Sequence, residues 1–141
     1  MATFPDLSLD SANRFVAALG LEFDEVRADA VTGRIELGPQ HHNAWDVVHG
    51  GVYSTVVERA ASVGASRAVE EHGLFAVGVH NATDVFVTTA KGLALVTAHP
   101  VFQGELQQVW SVEILTDVDG TPLARGQLRL QNVPKRAPGH R

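Results

Sequence analysis

One carboxylate stands out as a candidate for chemistry. In the run Val48-His49-Gly50-Gly51-Val52-Tyr53-Ser54-Thr55-Val56-Val57-Glu58 a glycine pair opens a helical pattern, and Glu58 follows in its second turn among small and apolar residues. Backbone N–H groups at a helix start are unpaired and attract negative charge. Glycine lets a carbonyl oxygen approach them, which is the geometry of an oxyanion hole. Gly50 and Gly51 would then supply one half of an acyl-transfer site. Glu58 would supply the other, as general base on water or as nucleophile on an activated acyl carbon. A plainer reading stays open from the residues alone. A lone Glu early in a helix favours the helix dipole and can pair with Arg59 or with solvent, and a glycine pair before a helix makes a tight turn.

Other chemistries find less support. No Gly-x-Ser-x-Gly elbow, Gly-x-Gly-x-x-Gly turn or Walker loop occurs, which argues against serine-hydrolase, dinucleotide and nucleoside-triphosphate functions. His41, His42 and His49 follow no metal-ligand spacing and there is no cysteine, so no metal, cofactor or disulfide is expected. His49 reads instead as a residue that fixes its loop by hydrogen bonding. A net charge of −5, with 11 scattered Lys and Arg, argues against a nucleic-acid surface. The segment from Met1 to Asp6 lacks a basic, then apolar, secretory pattern, and no apolar run is long enough to span a bilayer. A cytoplasmic protein with no membrane contact is the expectation.

These residues need a scaffold, and 141 residues suit one domain, 1–141. A short helix is expected over 8–19, with Asp and Ser as cap candidates and Gly20 as its stop. From Leu21 to Leu37 the alternation predicts a long bent strand or a hairpin, broken near Asp29 and Gly33. Residues 39–48 read as a loop. The long helix is expected from Gly51 to about Glu71, with Val52, Val56, Ala60 and Val63 on one face and Gly73 ending it. Four strands follow, at 74–87, 92–102, 106–116 and 122–133, joined by turns suited to antiparallel pairing, and then a flexible tail over 134–141. Helices preceding consecutive hairpins make an α+β fold in which the long helix crosses one sheet face. On a helical wheel Glu58 falls beside Ser54, Ala61, Ser62 and Ala65, at the edge of the apolar face, where substrate could reach it.

The run from Val48 to Tyr53, Glu58 beyond it, and Asn81-x-Thr83-Asp84 on the next strand resemble hotdog-fold acyl-CoA thioesterases, over about Leu19 to Val133. The closest types are the phenylacetate-pathway and 4-hydroxybenzoyl-CoA thioesterases that carry a catalytic Glu on the central helix. The resemblance implies a long helix wrapped by an antiparallel sheet and hydrolysis of an aryl- or fatty-acyl-CoA to acid and CoA. Glu58 would be nucleophile or base, and the Gly50 N–H the oxyanion donor, with Gly51 beside it. Asn43 would orient water or the thioester, Ser62 would hold the carboxylate or the water, and His49 would fix the loop. The resemblance also implies a homodimer or homotetramer with sites between subunits, where Asn81, Thr83 and Asp84 approach the partner's helix and Gly104 lies near the pantetheine. This chain has Val87-Thr88 where many relatives have Arg-Pro, and Glu105 after Gly104. Arg125, Arg129, Lys135 and Arg136 remain as candidates for CoA phosphate. Two rivals are a non-catalytic acyl-thioester-binding hotdog protein and an enoyl-thioester hydratase using Asp46 and His49.

Overall fold

The structure, a computed structural model, describes residues 4–135. Its strands are β1 (Glu22–Val26), β2 (Val31–Leu37), β3 (Leu74–Val85), β4 (Gly92–Gln103), β5 (Gln107–Thr116) and β6 (Pro122–Pro134). All pair antiparallel in one sheet, in the order β1-β2-β4-β5-β6-β3. Helix α1 (Arg14–Leu19) precedes the sheet, and α2 (Gly50–Val69) lies across its inner face. This is the hotdog arrangement, one long helix wrapped by an antiparallel sheet.

Two periodicities meet in the core. Along β5 buried residues alternate with more accessible ones, so Gln108, Trp110, Val112 and Ile114 face inward. Along α2 the stripe Tyr53, Val56, Val57, Ala60, Val63 and Gly64 faces them. Fully burying each large apolar side chain here contributes roughly 1.5–3 kcal/mol. The small residues of α2 have a specific cause at Gly64. A Cβ there would lie 2.5 Å from Trp110 Cη2 and 2.7 Å from Val31 Cγ2, so any side chain would push the helix off the sheet.

The structure revises some expected boundaries. The segment over 8–19 is two pieces, a 3₁₀ turn at Leu9–Ser11 and then α1. The cap of α1 is Asn13, whose side chain accepts from the Val16 N–H at 3.2 Å, rather than the expected Asp or Ser. Residues 21–37 form a hairpin, and the break falls at 27–30 only. Gly33 stays inside β2, where a Cβ would lie 2.6 Å from the Glu22 carbonyl oxygen of the paired strand. The long helix gives way to a 3₁₀ turn at Glu70–His72 before Gly73. Pro134 belongs to β6, and the rest of the expected tail beyond 135 lies outside the described residues.

Both sheet ends are edges, and they differ. β3 is 12 residues long and pairs on one side only, with β6. Val77, Val79 and Val85 on it are 39%, 50% and 48% exposed, an apolar content that unpaired edges normally avoid.

Candidate active site

The loop before α2 is held by its histidines. The buried His41 ring accepts from the Gly38 N–H at Nδ1 (3.2 Å) and donates from Nε2 to the Leu19 carbonyl (2.8 Å). His42 Nε2 reaches the Ala90 carbonyl at 2.7 Å, and the His49 N–H donates to the His41 carbonyl at 2.8 Å. Asn43 Oδ1 accepts from the Trp45 and Val47 N–H groups at 2.9 and 3.4 Å, which folds the turn. Its Nδ2 makes no hydrogen bond among the described residues.

This loop delivers the chain to the start of α2. His49 is the N-cap, and its Nδ1 accepts from the Gly51 N–H at 2.8 Å. The Gly50 N–H has no acceptor among the described residues. Of the two glycine donors the structure thus leaves Gly50 free and commits Gly51 to the cap. The same bond occupies His49 Nδ1, and Asp46 is an exposed turn residue at φ +60°, so the Asp46–His49 pair of a hydratase is not assembled.

Glu58 is exposed on α2, eight residues and about 12 Å of helix axis beyond Gly50. Its carboxyl carbon lies over Gly78 of β3, 3.4 Å from where a Cβ would be. It makes no ion pair with Arg59 or any other described residue. The carboxylate opens into a slot of about 370 Å³ that also takes in Ser62, Arg59 and Asn81, under an apolar wall of Phe15, Val16 and Leu19 from α1. In one chain Glu58 remains exposed, so this wall does not enclose it. A larger groove of about 870 Å³, between Pro5–Asp10 and β1, holds neither Glu58 nor the helix start.

The remaining expected residues divide. Asn81 donates from Nδ2 to the Ser54 carbonyl at 2.9 Å and accepts from Thr83 Oγ1 at 2.7 Å, so these two fasten β3 to the chain's own helix. Asp84, next along the strand, turns to the opposite sheet face, exposed and in register with Arg125. Gly104 lies in the β4–β5 turn, where its carbonyl accepts from Asn132 Nδ2 at 3.2 Å, in a groove with Val69 and His72 at the far end of α2. Within one chain, neither Asp84 nor Gly104 meets Glu58. Arg125 and Arg129 are exposed on the outer face, Lys135 is half-buried beside the N-terminal segment, and Arg136 lies outside the described residues. No group of three or more His, Asp or Glu among the described residues could hold a metal ion, and no described helix is long and apolar enough to cross a membrane. Sequence reasoning missed Arg59 as a residue of this slot. Its helical offset of one from Glu58 was the available signal.

Known proteins share this arrangement. A family model described as Thioesterase superfamily matches residues 46–123. Rv1847 of Mycobacterium tuberculosis, whose name proposes an esterase, is 39% identical over 124 residues, spanning 86% of this chain and 88% of the relative. Its structure has a TM-score of 0.83 at 37% identity and covers 89% of this chain and 100% of that one. AziG of S. sahachiroi gives a TM-score of 0.81 at 38% identity over 87% of this chain and 98% of its own. The 1,4-dihydroxy-2-naphthoyl-CoA hydrolase of Listeria monocytogenes is 26% identical over 101 residues, 72% of this chain and 81% of its own. With its helix opening on His49-Gly50-Gly51, its hotdog sheet, and a family match over more than half its length, the chain belongs to the Thioesterase superfamily.

Proposed function

We propose that this protein is an acyl-CoA thioesterase that releases free acid and CoA, with Glu58 as its catalytic carboxylate. The observation that carries the reading is Glu58 itself. It is a carboxylate with no ion-pair partner among the described residues, facing a mostly apolar slot from a helix whose first N–H is also unclaimed. The names of the relatives support a thioester, and two of them name a CoA thioester.

The chemistry follows from those two groups. Glu58 acts on the acyl carbon directly or through a water whose proton it takes. The carbonyl oxygen gains negative charge and is held by the Gly50 N–H at the positive end of α2. Collapse of the adduct breaks the C–S bond, and the thiolate leaves and takes up a proton; on the direct route the acyl-Glu58 anhydride that remains is then cleaved by water to the free acid, which regenerates the carboxylate. Asn43, with its carbonyl tied into the loop and its amide N–H groups available, is placed to orient the thioester or the water, and His49 keeps Gly50 at the helix start. Ser62, one turn past Glu58, steadies the carboxylate or its water.

Gly50 and Glu58 are too far apart along one helix to serve one carbonyl, and the β3 edge supplies a solution. A Cβ on Gly50 would lie 3.8 Å from Val85, Asn81 bonds to Ser54, and Glu58 covers Gly78, so residues 85, 81 and 78 run level with 50, 54 and 58. A two-fold pairing of β3 with its copy, centred near Asn81 and Ala82, would set position 85 of one chain against 78 of the other. Gly50 would then lie level with the partner's Glu58. The exposed valines of β3 would be covered in the same step. This homodimer, alone or doubled into a tetramer, is part of the proposal.

The test is thiol release from a panel of aryl-, phenylacetyl- and longer-chain acyl-CoAs, with Glu58→Ala beside the parent protein. Loss of at least about a hundredfold in kcat/KM at unchanged melting temperature is expected. Tight acyl-CoA binding by the parent protein without release would instead establish the binding-protein reading.

A further inference from the structure

Two arginines lie eight residues apart on one side of α2, and their surroundings differ. Arg67 has a carboxylate and an aromatic ring as partners. Its Nη1 donates to both carboxylate oxygens of Glu70 at 3.1 Å, and its guanidinium stacks on the Phe4 ring at 3.6 Å. Arg59 has no hydrogen bond and no ion pair among the described residues, and its Nε is buried without an acceptor. Its one interaction of note is with the Phe23 ring, 5.4 Å from the centroid. Burial disfavours its charged form and lowers its pKa, with no carboxylate to offset that cost.

Place matters as much as partnership. Arg59 and Ser62 line both the 370 Å³ slot that holds Glu58 and a second groove of about 260 Å³ that continues past Val63 and Phe75. Arg59 is therefore the cation at the junction of two largely apolar compartments, one helical step from the proposed catalytic carboxylate. An arginine always remains protonated and carries five N–H donors, so a half-buried one without acceptors leaves a strong binding demand unmet. Volumes of this size, at the low end for small-molecule pockets, suit a ring-sized group and not a whole CoA.

Resting on the thioesterase reading, we infer that Arg59 is a specificity-determining residue that binds an acceptor oxygen, a carboxylate or a hydroxyl, at the end of the acyl group remote from the thioester. The acyl group lies in the slot beneath α1 with its carbonyl toward Glu58 and its oxygen substituent at the guanidinium. Phe23 holds the guanidinium plane in position. Acyl groups lacking the oxygen leave the guanidinium desolvated and unpaired, and are selected against.

The experiment compares kcat/KM for benzoyl-CoA, 3-hydroxybenzoyl-CoA and 3-carboxybenzoyl-CoA in the parent protein, Arg59→Met and Arg59→Lys. The parent is expected to favour at least one oxygen-bearing member over benzoyl-CoA by about 10- to 100-fold, the range of a hydrogen bond to a charged group. Arg59→Met brings that ratio close to one. Arg59→Lys keeps part of the preference for the carboxylate and loses the preference for the hydroxyl, because charge survives and the planar fork does not. Whichever substituent is favoured identifies the source of the oxygen. A parent ratio near one overturns the inference. So does a ratio that survives Arg59→Met while all three substrates slow together and the melting temperature falls, since Arg59 would then only support the structure. Both outcomes leave the thioesterase reading intact, because that reading fails if the parent protein releases no thiol from the panel, and its assignment of Glu58 fails if Glu58→Ala turns over like the parent.

Discussion

The two halves of α2 treat polar groups in opposite ways. Toward its C-terminal end, Gln108 is 1% exposed and uses its whole amide. Nε2 donates to the Ala65 carbonyl and to Asn132 Oδ1 at 2.9 and 2.8 Å, while Oε1 accepts from Trp110 Nε1 and Gln103 Nε2 at 2.9 and 3.3 Å. Asn132 Nδ2 in turn closes the β4–β5 turn through the Gly104 and Glu105 carbonyls. Toward the N-terminal end the Gly50 N–H, the Asn43 amide N–H groups and the Arg59 guanidinium have no acceptor among the described residues, and Glu58 has no counter-ion. Tyr53 belongs to the same half. Its hydroxyl is buried near Thr89 without a hydrogen bond of ordinary geometry, and desolvation raises its pKa. Of these, the Arg59 Nε and the Tyr53 hydroxyl are buried, and a buried polar group left unpaired costs about 1–3 kcal/mol, whereas Gly50 and Glu58 are exposed to solvent. One end of the helix closes its polar groups on one another, and the other leaves them open, which on the proposed reading is where a ligand or a second chain meets the protein.

That contrast can be broken at several points. Gln108→Leu should act most strongly on stability, because it strands Trp110 Nε1 and the Asn132 carbonyl in the core. A loss of about 3 kcal/mol, or roughly 10 °C in melting temperature, is expected, with activity per folded molecule unchanged. If thermal melting barely moved, the network would not be what holds that end. His49→Ala removes the cap of α2, and a fall of about 1 kcal/mol in denaturant unfolding is expected. It should also slow turnover several-fold, since Gly51 loses its acceptor and the helix start loosens. An unchanged rate would separate the cap from the chemistry. The smallest effect is expected at Asp119, exposed in the β5–β6 turn. Hydrogen bonds from the Thr116 and Thr121 hydroxyls and the Thr121 N–H hold its carboxyl below the ordinary value of 3.8. Its contribution to stability is present above that value and is lost as pH falls through the lowered folded one. Asp119→Ala should therefore narrow the difference in melting temperature between pH 6 and pH 3 slightly, as read by calorimetry.

Much of this was legible in the residues. The 3.6-residue stripe of Val56, Ala60 and Val63 and the alternation along Leu106–Thr116 set the long helix and the strands, because both record burial on one face. The break at Ala12-Asn13 was not legible, since Asn13 competes as a cap with the Ser and Asp residues just before it. Sheet order was hidden for a different reason. β3 pairs with β6, the most distant strand after it in sequence, and no local pattern encodes that partner. At the site, Glu58 and Gly50 were visible through residue type and spacing. The separation of Asp84 from Asn81 and Thr83 depends on strand alternation past a bulge between Gly78 and His80, and the place of Gly104 at the far end of α2 depends on how β4 and β5 pair. Arg59 was overlooked as a slot residue because its meaning lies in the partners it lacks.

The central claim is that the carboxylate and the oxyanion donor of each site come from different chains, and co-expressing two inactive variants tests it most directly. Gly50→Pro removes the N–H at the first helical position, where proline is tolerated, and Glu58→Ala removes the carboxylate. With a different tag on each chain, the mixed dimer can be isolated and its thiol release measured against the parent protein. One intact site per mixed dimer, about half the parent activity, is the predicted result. Activity no higher than that of either variant alone would place both groups in one chain and contradict the account.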